Sequence, residues 1–370
     1  MPTWGAITYE LNKTLQTLQR QGVQPDPLAP SPHDLIRRKY LRELAEHTQR
    51  PVIVYASSWL EGRPVADPSL VSVHSRDMMG FMEAVHSIPK GPLDLMLHSP
   101  GGSADAAEAI MSYLRSEGFG PIRALIPISA MSAATMMALC CDEILMGRHS
   151  QLGPIDPQFT IMTPDGARSA PAQAILDQFE NAKTECGANS AALAAWLPIL
   201  RSYGPGLISQ CLSAQIAAED MVSAAMTKHM FAGYGDNQLA ETKAKEIANW
   251  FNDHKKHKSH GKPLRYEEVN AKGVNVQALE DEDELQDRVL SAWHAVQISL
   301  SAVAVNKIVE SSNADSKSGC WMISGSPGVQ LVVNPQPSSP NPSPPMVGRT
   351  NQRPPINQGS NRAQRRGKGK

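Results

Sequence analysis

The sequence predicts an α/β fold in which a parallel sheet is covered by helices on both faces. Three observations predict it. From Pro51 onward, short apolar runs alternate with segments of helical spacing, the order that builds parallel sheets from strand–helix–strand units. The runs "PVIVYAS" and "LDLMLHS" are apolar nearly throughout rather than at every second position, as in strands buried on both faces. The second run ends at Ser99-Pro100 and passes through Gly101-Gly102 into a helical pattern, so a strand hands over to a helix through paired glycines.

The elements follow in order. Residues 1–50 read as an N-terminal helical arm, two helices around the Pro-rich break "QPDPLAPSP", because proline punctuates helices. The second, "DLIRRKYLRELAEHTQR", carries Leu35, Tyr40, Leu41 and Leu44 at helical spacing and suits packing or oligomerisation. A domain over 51–310 comes next. It opens with the strand "PVIVYAS" and the helix "SRDMMGFMEAVHSI", spaced by Met78, Phe81, Met82 and Val85. The strand "LDLMLHS" leads to the helix "ADAAEAIMSYLRSEG", closed by Gly118, and the strand "IRALIPIS" to the small-residue helix "AATMMALCCD" and the strand "EILMG". After about Gly153 the pattern is helical, from "APAQAILDQFENAKTECG" to one long terminal helix, "DEDELQDRVLSAWHAVQISLSAVAVNKIVE". The acids Asp281 to Glu284 in its first turn suit a helix N-terminus. Residues 311–370 lose periodicity and are rich in Pro, Ser and Asn; they are expected to be a disordered tail, since they bury too little apolar surface to fold. The basic C-terminus, from Arg349 to Lys370, holds no acid and offers at most a weak contact to nucleic acid or acidic protein.

Composition narrows the function classes. The 370 residues carry a net charge of −1, so no global field draws nucleic acid or a membrane. Apolar residues make up 41% and aromatics only 5%, so Ala, Met, Leu and Val must fill the core. The five cysteines include no C-x-x-C pair and read as reduced thiols of a cytoplasmic protein. The N-terminus lacks the apolar core of a signal peptide, and no window is long enough to span a bilayer.

Glycines at such a turn leave amide N–H groups in the crevice beyond the strand's C-terminal end, where open α/β sheets bind ligands. The turn can cradle a phosphate or hold an oxyanion. Neither G-x-x-x-x-G-K-[ST] nor G-x-G-x-x-G is present, so the oxyanion role fits better. Ser132 sits where "IRALIPIS" meets the helix of small residues, as a nucleophile or as an N-cap. Ala133 lets that helix pack closely and frees its own N–H to join Gly101 and Gly102. Ser129 and Ser150 have no comparable surroundings.

"SPGGSADAAEAI", followed by "ISAMSAATMMALCCDEILMGRHSQLGPID", resembles the Clp-protease and signal-peptide-peptidase superfamily with the Clp/crotonase fold. Within it the nearest likeness is to the serine dehydrogenase proteinase family, whose "HS-x-LGP-x-DPQ" pattern is matched from His149 to Gln158. The likeness covers roughly Pro51 to Lys307. It implies a fold of repeated ββα units with a helical C-terminal part, a homo-oligomer, and a serine peptidase acting on proteins or peptides without a cofactor. Ser132 would be the nucleophile, with an oxyanion hole around Gly101, Gly102 and Ala133. Clp-type enzymes place a histidine about two dozen residues after the nucleophile; here Asp156 stands there, 24 positions on (132 to 156). The family's order Ser, Asp, His then makes Asp156 the group that orients a histidine further downstream. Of His229, His254, His257, His260 and His294, "SHGKPL" best resembles the family's histidine segment, so His260 ranks first, His257 second and His229 third. The superfamily's Ser–Lys dyad offers Lys183, 51 positions on (132 to 183), but Glu180 and Glu185 beside it would keep it charged. His254, His257 and His260 also have H-x-x-H-x-x-H spacing, yet only Asp253 supports them, so a zinc site ranks low and no metal is expected. Two other classes compete: a catalytically inactive oligomeric scaffold, and a crotonase-like acyl-CoA enzyme.

Overall fold

The computed structural model describes residues 3–20, 29–62, 65, 67–163, 166–302, 304–315 and 317–324. Helices α1 (Trp4–Arg20) and α2 (Pro32–Thr48) precede strand β1 (Val52–Ser57). Then come α3 (Met78–His86), β2 (Gly91–His98), α4 (Ala104–Ser116), β3 (Phe119–Ile126), β4 (Ser129–Ala130), α5 (Ala133–Leu139), β5 (Glu143–Met146) and β6 (Gln151–Leu152). A hairpin of β7 (Gln158–Thr163) and β8 (Gly166–Pro171) leads into α6 (Ala172–Ala188), α7 (Leu193–Leu200), α8 (Leu207–Lys228), α9 (Asn237–Asn252), α10 (His254–His257) and α11 (Tyr266–Ala271). β9 (Val276–Ala278), α12 (Asp283–Ala302), β10 (Val305–Ser311) and β11 (Cys320–Ser324) complete the described chain.

The main sheet has seven strands in the order β11-β10-β1-β2-β3-β5-β9. The five from β1 to β9 run parallel, while β10 is antiparallel to β1 and β11 to β10. Alternate residues of each parallel strand serve opposite faces, as the period of a strand requires. Ile53 and Tyr55 of β1, Leu93, Leu95 and Leu97 of β2, and Ile122 and Ala124 of β3 join the core under α3, α4, α5 and α9. Val52, Val54, Met96 and Leu125 join the core under α1, α2 and α12. Burial on both faces explains why these strands read as continuous apolar runs.

Four expectations change. The chain after Gly153 is not helical throughout: β7 and β8 form an antiparallel hairpin, and β9 joins β5 as the fifth parallel strand. The segment 1–50 is no separate arm: Ile7 of α1 and Leu41 and Leu44 of α2 are fully buried in the same core as Trp293 of α12. Arg37 and Arg38 of α2 also converge on the buried Glu310 of β10, Arg38 at 2.8 Å, an ion cluster that ties α2 to the sheet. The long terminal helix stops at Ala302, and "VNKIVES" becomes β10, paired along the free edge of β1. Edge pairing of a β-branched stretch outweighs helical spacing there, because it satisfies a row of backbone groups that β1 would otherwise leave open. The ordered chain also passes the expected boundary at 310, since β11 pairs with β10. Residues 325–370, with the remainder of the expected disordered tail and its basic end, lie outside the described residues.

His98, the last residue of β2, shows what two-sided burial does to a titratable group. It lies 4.4 Å, between ring centroids, from Trp293 and 5.9 Å from Trp59, and burial pushes its pKa down to about 3. An unfolded chain protonates this imidazole near pH 6.5, so the unfolded state binds the extra proton between that value and about 3. The stability contributed by neutral His98 is therefore complete above about pH 6.5 and is lost as pH falls, by about 1 kcal/mol per unit. Denaturation midpoints measured down from pH 7 should show this slope flattened in His98→Phe. An unchanged slope would remove His98 as its source.

Candidate active site

A second, small layer of backbone pairing lies across the C-terminal ends of the parallel strands. Ser99 bridges Ala130, β4 pairs with β6 through Ala130 and Leu152, and Leu152 bridges Leu264. Val73 bridges Gly102 at the near end. These few bonds bring together four loops that are remote in sequence.

The glycine turn packs directly on Ser132. Gly101 has φ +93°, and a β-carbon there would sit 2.5 Å from the Met131 carbonyl oxygen and 2.6 Å from the Ser132 Cβ. Gly102 has φ +149°, and a β-carbon there would run into the backbone of Val73. Gly101→Ala should therefore cost about 1–3 kcal/mol and displace Ser132. Urea denaturation checks it, and wild-type stability would show that the turn has room. The two amides differ in use. The Gly101 N–H donates to Ser99 Oγ at 3.2 Å, whereas those of Gly102 and Ala133 have no acceptor among the described residues. The segment facing the turn is anchored from below: buried Lys307 donates to the Ser72 carbonyl at 2.6 Å and to Asp77 at 2.8 Å, and Tyr55 donates to Asp77 at 2.7 Å. Burial lowers the Lys307 pKa, and the Asp77 carboxylate opposes that shift.

Ser132 occupies the position before α5 with φ 50° and ψ −120°, and its side chain makes no capping hydrogen bond. A non-glycine residue in that region carries strain of about 1–3 kcal/mol. Ser129 and Ser150 are fully buried.

Asp156 is 1% exposed. Its Oδ1 lies 2.7 Å from His260 Nδ1; its Oδ2 lies 3.0 Å from His254 Nδ1 and accepts from Gln158 Nε2 at 2.9 Å. The pairing of Leu152 with Leu264 explains the approach. Asp156 lies four residues after Leu152 and His260 four residues before Leu264, so the antiparallel bridge at that pair brings the two segments together. Ser132, Gly101, Gly102, Ala133 and His260 line one cleft of roughly 400 Å³. Met136, Ile155, Phe159 and Met221 form its apolar wall, and Asp105 and Glu108 stand at its acidic side. Among the described residues, no hydrogen bond joins Ser132 Oγ to His260.

The other candidates lie elsewhere. Lys183 is exposed on α6 and pairs with Glu180 at 2.9 Å. His257 is buried, bonded to the Trp250 carbonyl at 2.6 Å and edge-on to its ring; burial lowers its pKa against that bond. His229 follows α8, and burial lowers its pKa too. None of the three lines the cleft. The partner the sequence reading did not select is His254, whose only signal was its place in the H-x-x-H-x-x-H run. Among the described residues, no group of three or more His, Cys, Asp or Glu side chains is gathered to hold a metal.

The fold defines an α/β protein with helices packed on both faces of a sheet whose five central strands run parallel. The resemblance read from the sequence holds: residues 33–190 match the family described as ClpP-like SDH-type serine proteinase. The match begins inside α2, within the segment expected to stand outside the domain. Two curated proteins of Methanocaldococcus jannaschii, both uncharacterized, are similar in part. One is 36% identical over 129 residues, which is 34% of this chain and 43% of the relative. The other is 39% identical over 83 residues, 22% of this chain and 28% of the relative. The chain thus spans less than half the length of these curated relatives. Among solved structures, a mutant of the 1510-N membrane-bound stomatin-specific protease aligns over 59% of this chain and 79% of that chain, with a TM-score of 0.32 and 17% identity. Among the described residues, no helix is long and apolar enough to cross a membrane.

Proposed function

We propose that this chain is a serine peptidase in which Ser132 attacks a peptide carbonyl, His260 takes its proton, and Asp156 holds His260. The observation that carries the reading is the strained, uncapped conformation of Ser132 in the cleft that His260 also lines. Strain at a non-glycine residue is kept where geometry is needed for function, and an N-cap serine would have bonded its helix.

The chemistry follows from the contacts. His260 Nδ1 faces Asp156 Oδ1, so the proton sits on Nδ1 and Nε2 is left as the base. As Ser132 Oγ bonds to the carbonyl carbon, its proton passes to Nε2 and the carbonyl π electrons move to oxygen. The N–H groups of Gly102 and Ala133, free of protein acceptors among the described residues, are the donors available to that oxyanion. Gly101 serves by its lack of a side chain rather than by its N–H. The imidazolium then returns its proton to the leaving amine, and water, deprotonated by Nε2, releases the acyl group.

A fluorophosphonate probe tests this on the full chain. We expect one adduct, mapped by peptide mass spectrometry to Ser132, and none in Ser132→Ala. No adduct on folded wild-type protein would favour the inactive scaffold or the acyl-CoA enzyme, and an adduct persisting in Ser132→Ala would remove the assignment.

A further inference from the structure

We infer that His254 is a positioning residue that fixes the Asp156 carboxylate for His260, so that the catalytic group is Ser–His–Asp with a second histidine behind the acid. The inference rests on the peptidase reading above. Asp156 is buried and its two oxygens are divided: Oδ1 faces His260 at 2.7 Å, and Oδ2 faces His254 at 3.0 Å and Gln158 at 2.9 Å. A carboxylate held by one donor can turn about its Cβ–Cγ bond, and buried lone pairs without donors are costly. Donors on Oδ2 remove both problems and leave Oδ1 facing His260 Nδ1.

His254 acts through Asp156 and not on substrate, because His260 lines the cleft and His254 does not. Its own place is set by two neighbours. Asp253 caps α10 by accepting from the Lys256 N–H at 3.0 Å, and Asn252 donates to Glu219 of α8 at 2.8 Å. His254 needs no charge for this role: the neutral ring with its proton on Nδ1 donates to Oδ2. That tautomer also spares His260 a cationic neighbour as it gains its proton.

The test compares His254→Ala and His254→Asn with wild type, using probe labelling, peptide hydrolysis and melting temperature. His254→Ala should lose about 10- to 100-fold in kcat with KM little changed, the range expected when a reacting group is misplaced by an ångström or less. His254→Asn, whose amide can donate where Nδ1 did, should recover most of that loss. A folded His254→Ala variant labelled at the wild-type rate would overturn the inference. So would an asparagine variant that melts like wild type and is no faster than alanine. Nitrogen NMR of the wild-type imidazoles needs no variant: a proton on His254 Nδ1 at neutral pH is expected, and its absence would also refute the role. Wild-type protein that takes no probe defeats the peptidase reading itself, whereas labelling of wild type with an indifferent His254→Ala defeats only this inference.

Discussion

Ser132→Ala is expected to lower peptide hydrolysis about a million-fold, the loss seen when a serine nucleophile is removed from a working group. The effect belongs to chemistry and not to folding. Ser132 makes no capping bond, so alanine removes no structural hydrogen bond, and melting should stay close to wild type. Ser132→Gly separates the two contributions further. It also lacks the hydroxyl, so it should be equally inactive. Glycine, however, tolerates φ 50° and ψ −120° without the cost a β-carbon brings, and relief of strain should exceed its greater chain entropy. Ser132→Gly should therefore melt above Ser132→Ala, by an amount equivalent to about 1 kcal/mol. If glycine melts at or below alanine, the conformation is not strained and Ser132 lacks the feature that marks it as a nucleophile.

Asp156→Asn is the second large expected loss, about ten-thousand-fold in kcat. The carboxylate offers an oxygen to each histidine. Asparagine offers one oxygen and one NH2, so at least one histidine meets a donor in place of an acceptor. If that histidine is His260, its proton moves to Nε2 and the base is blocked. If it is His254, the amide is repelled from the side that fixes it. KM should change little, since Asp156 is not among the residues lining the cleft. Rates within tenfold of wild type would show that Asp156 does not govern the tautomer of His260.

The sequence reading reached the parts of this site that are local. The Gly-Gly turn and Ser132 each sit at a handover between strand and helix, and apolar runs, glycines and small residues declare such handovers within a dozen positions. Likeness to a family segment, not any signal in its own surroundings, ranks His260 first; for physical reasons alone, His254 and His257 stand level with it. The backbone pair between Leu152 and Leu264 joins segments more than a hundred residues apart, and nothing short-range announces it.

What the sequence determined by itself is the chain order of four of the five parallel strands, β1, β2, β3 and β5, the turn of paired glycines and the serine before the small-residue helix. Each depends on burial and backbone freedom encoded in neighbouring residues. The tertiary structure alone decided that "VNKIVES" leaves the helical pattern to close the edge of β1, that α1 and α2 belong to the core, and that the Gly101 N–H is taken by Ser99. It also decided which histidines share Asp156. These outcomes depend on which backbone and side-chain partners remain unsatisfied once distant segments meet, and that competition exists only in the folded chain.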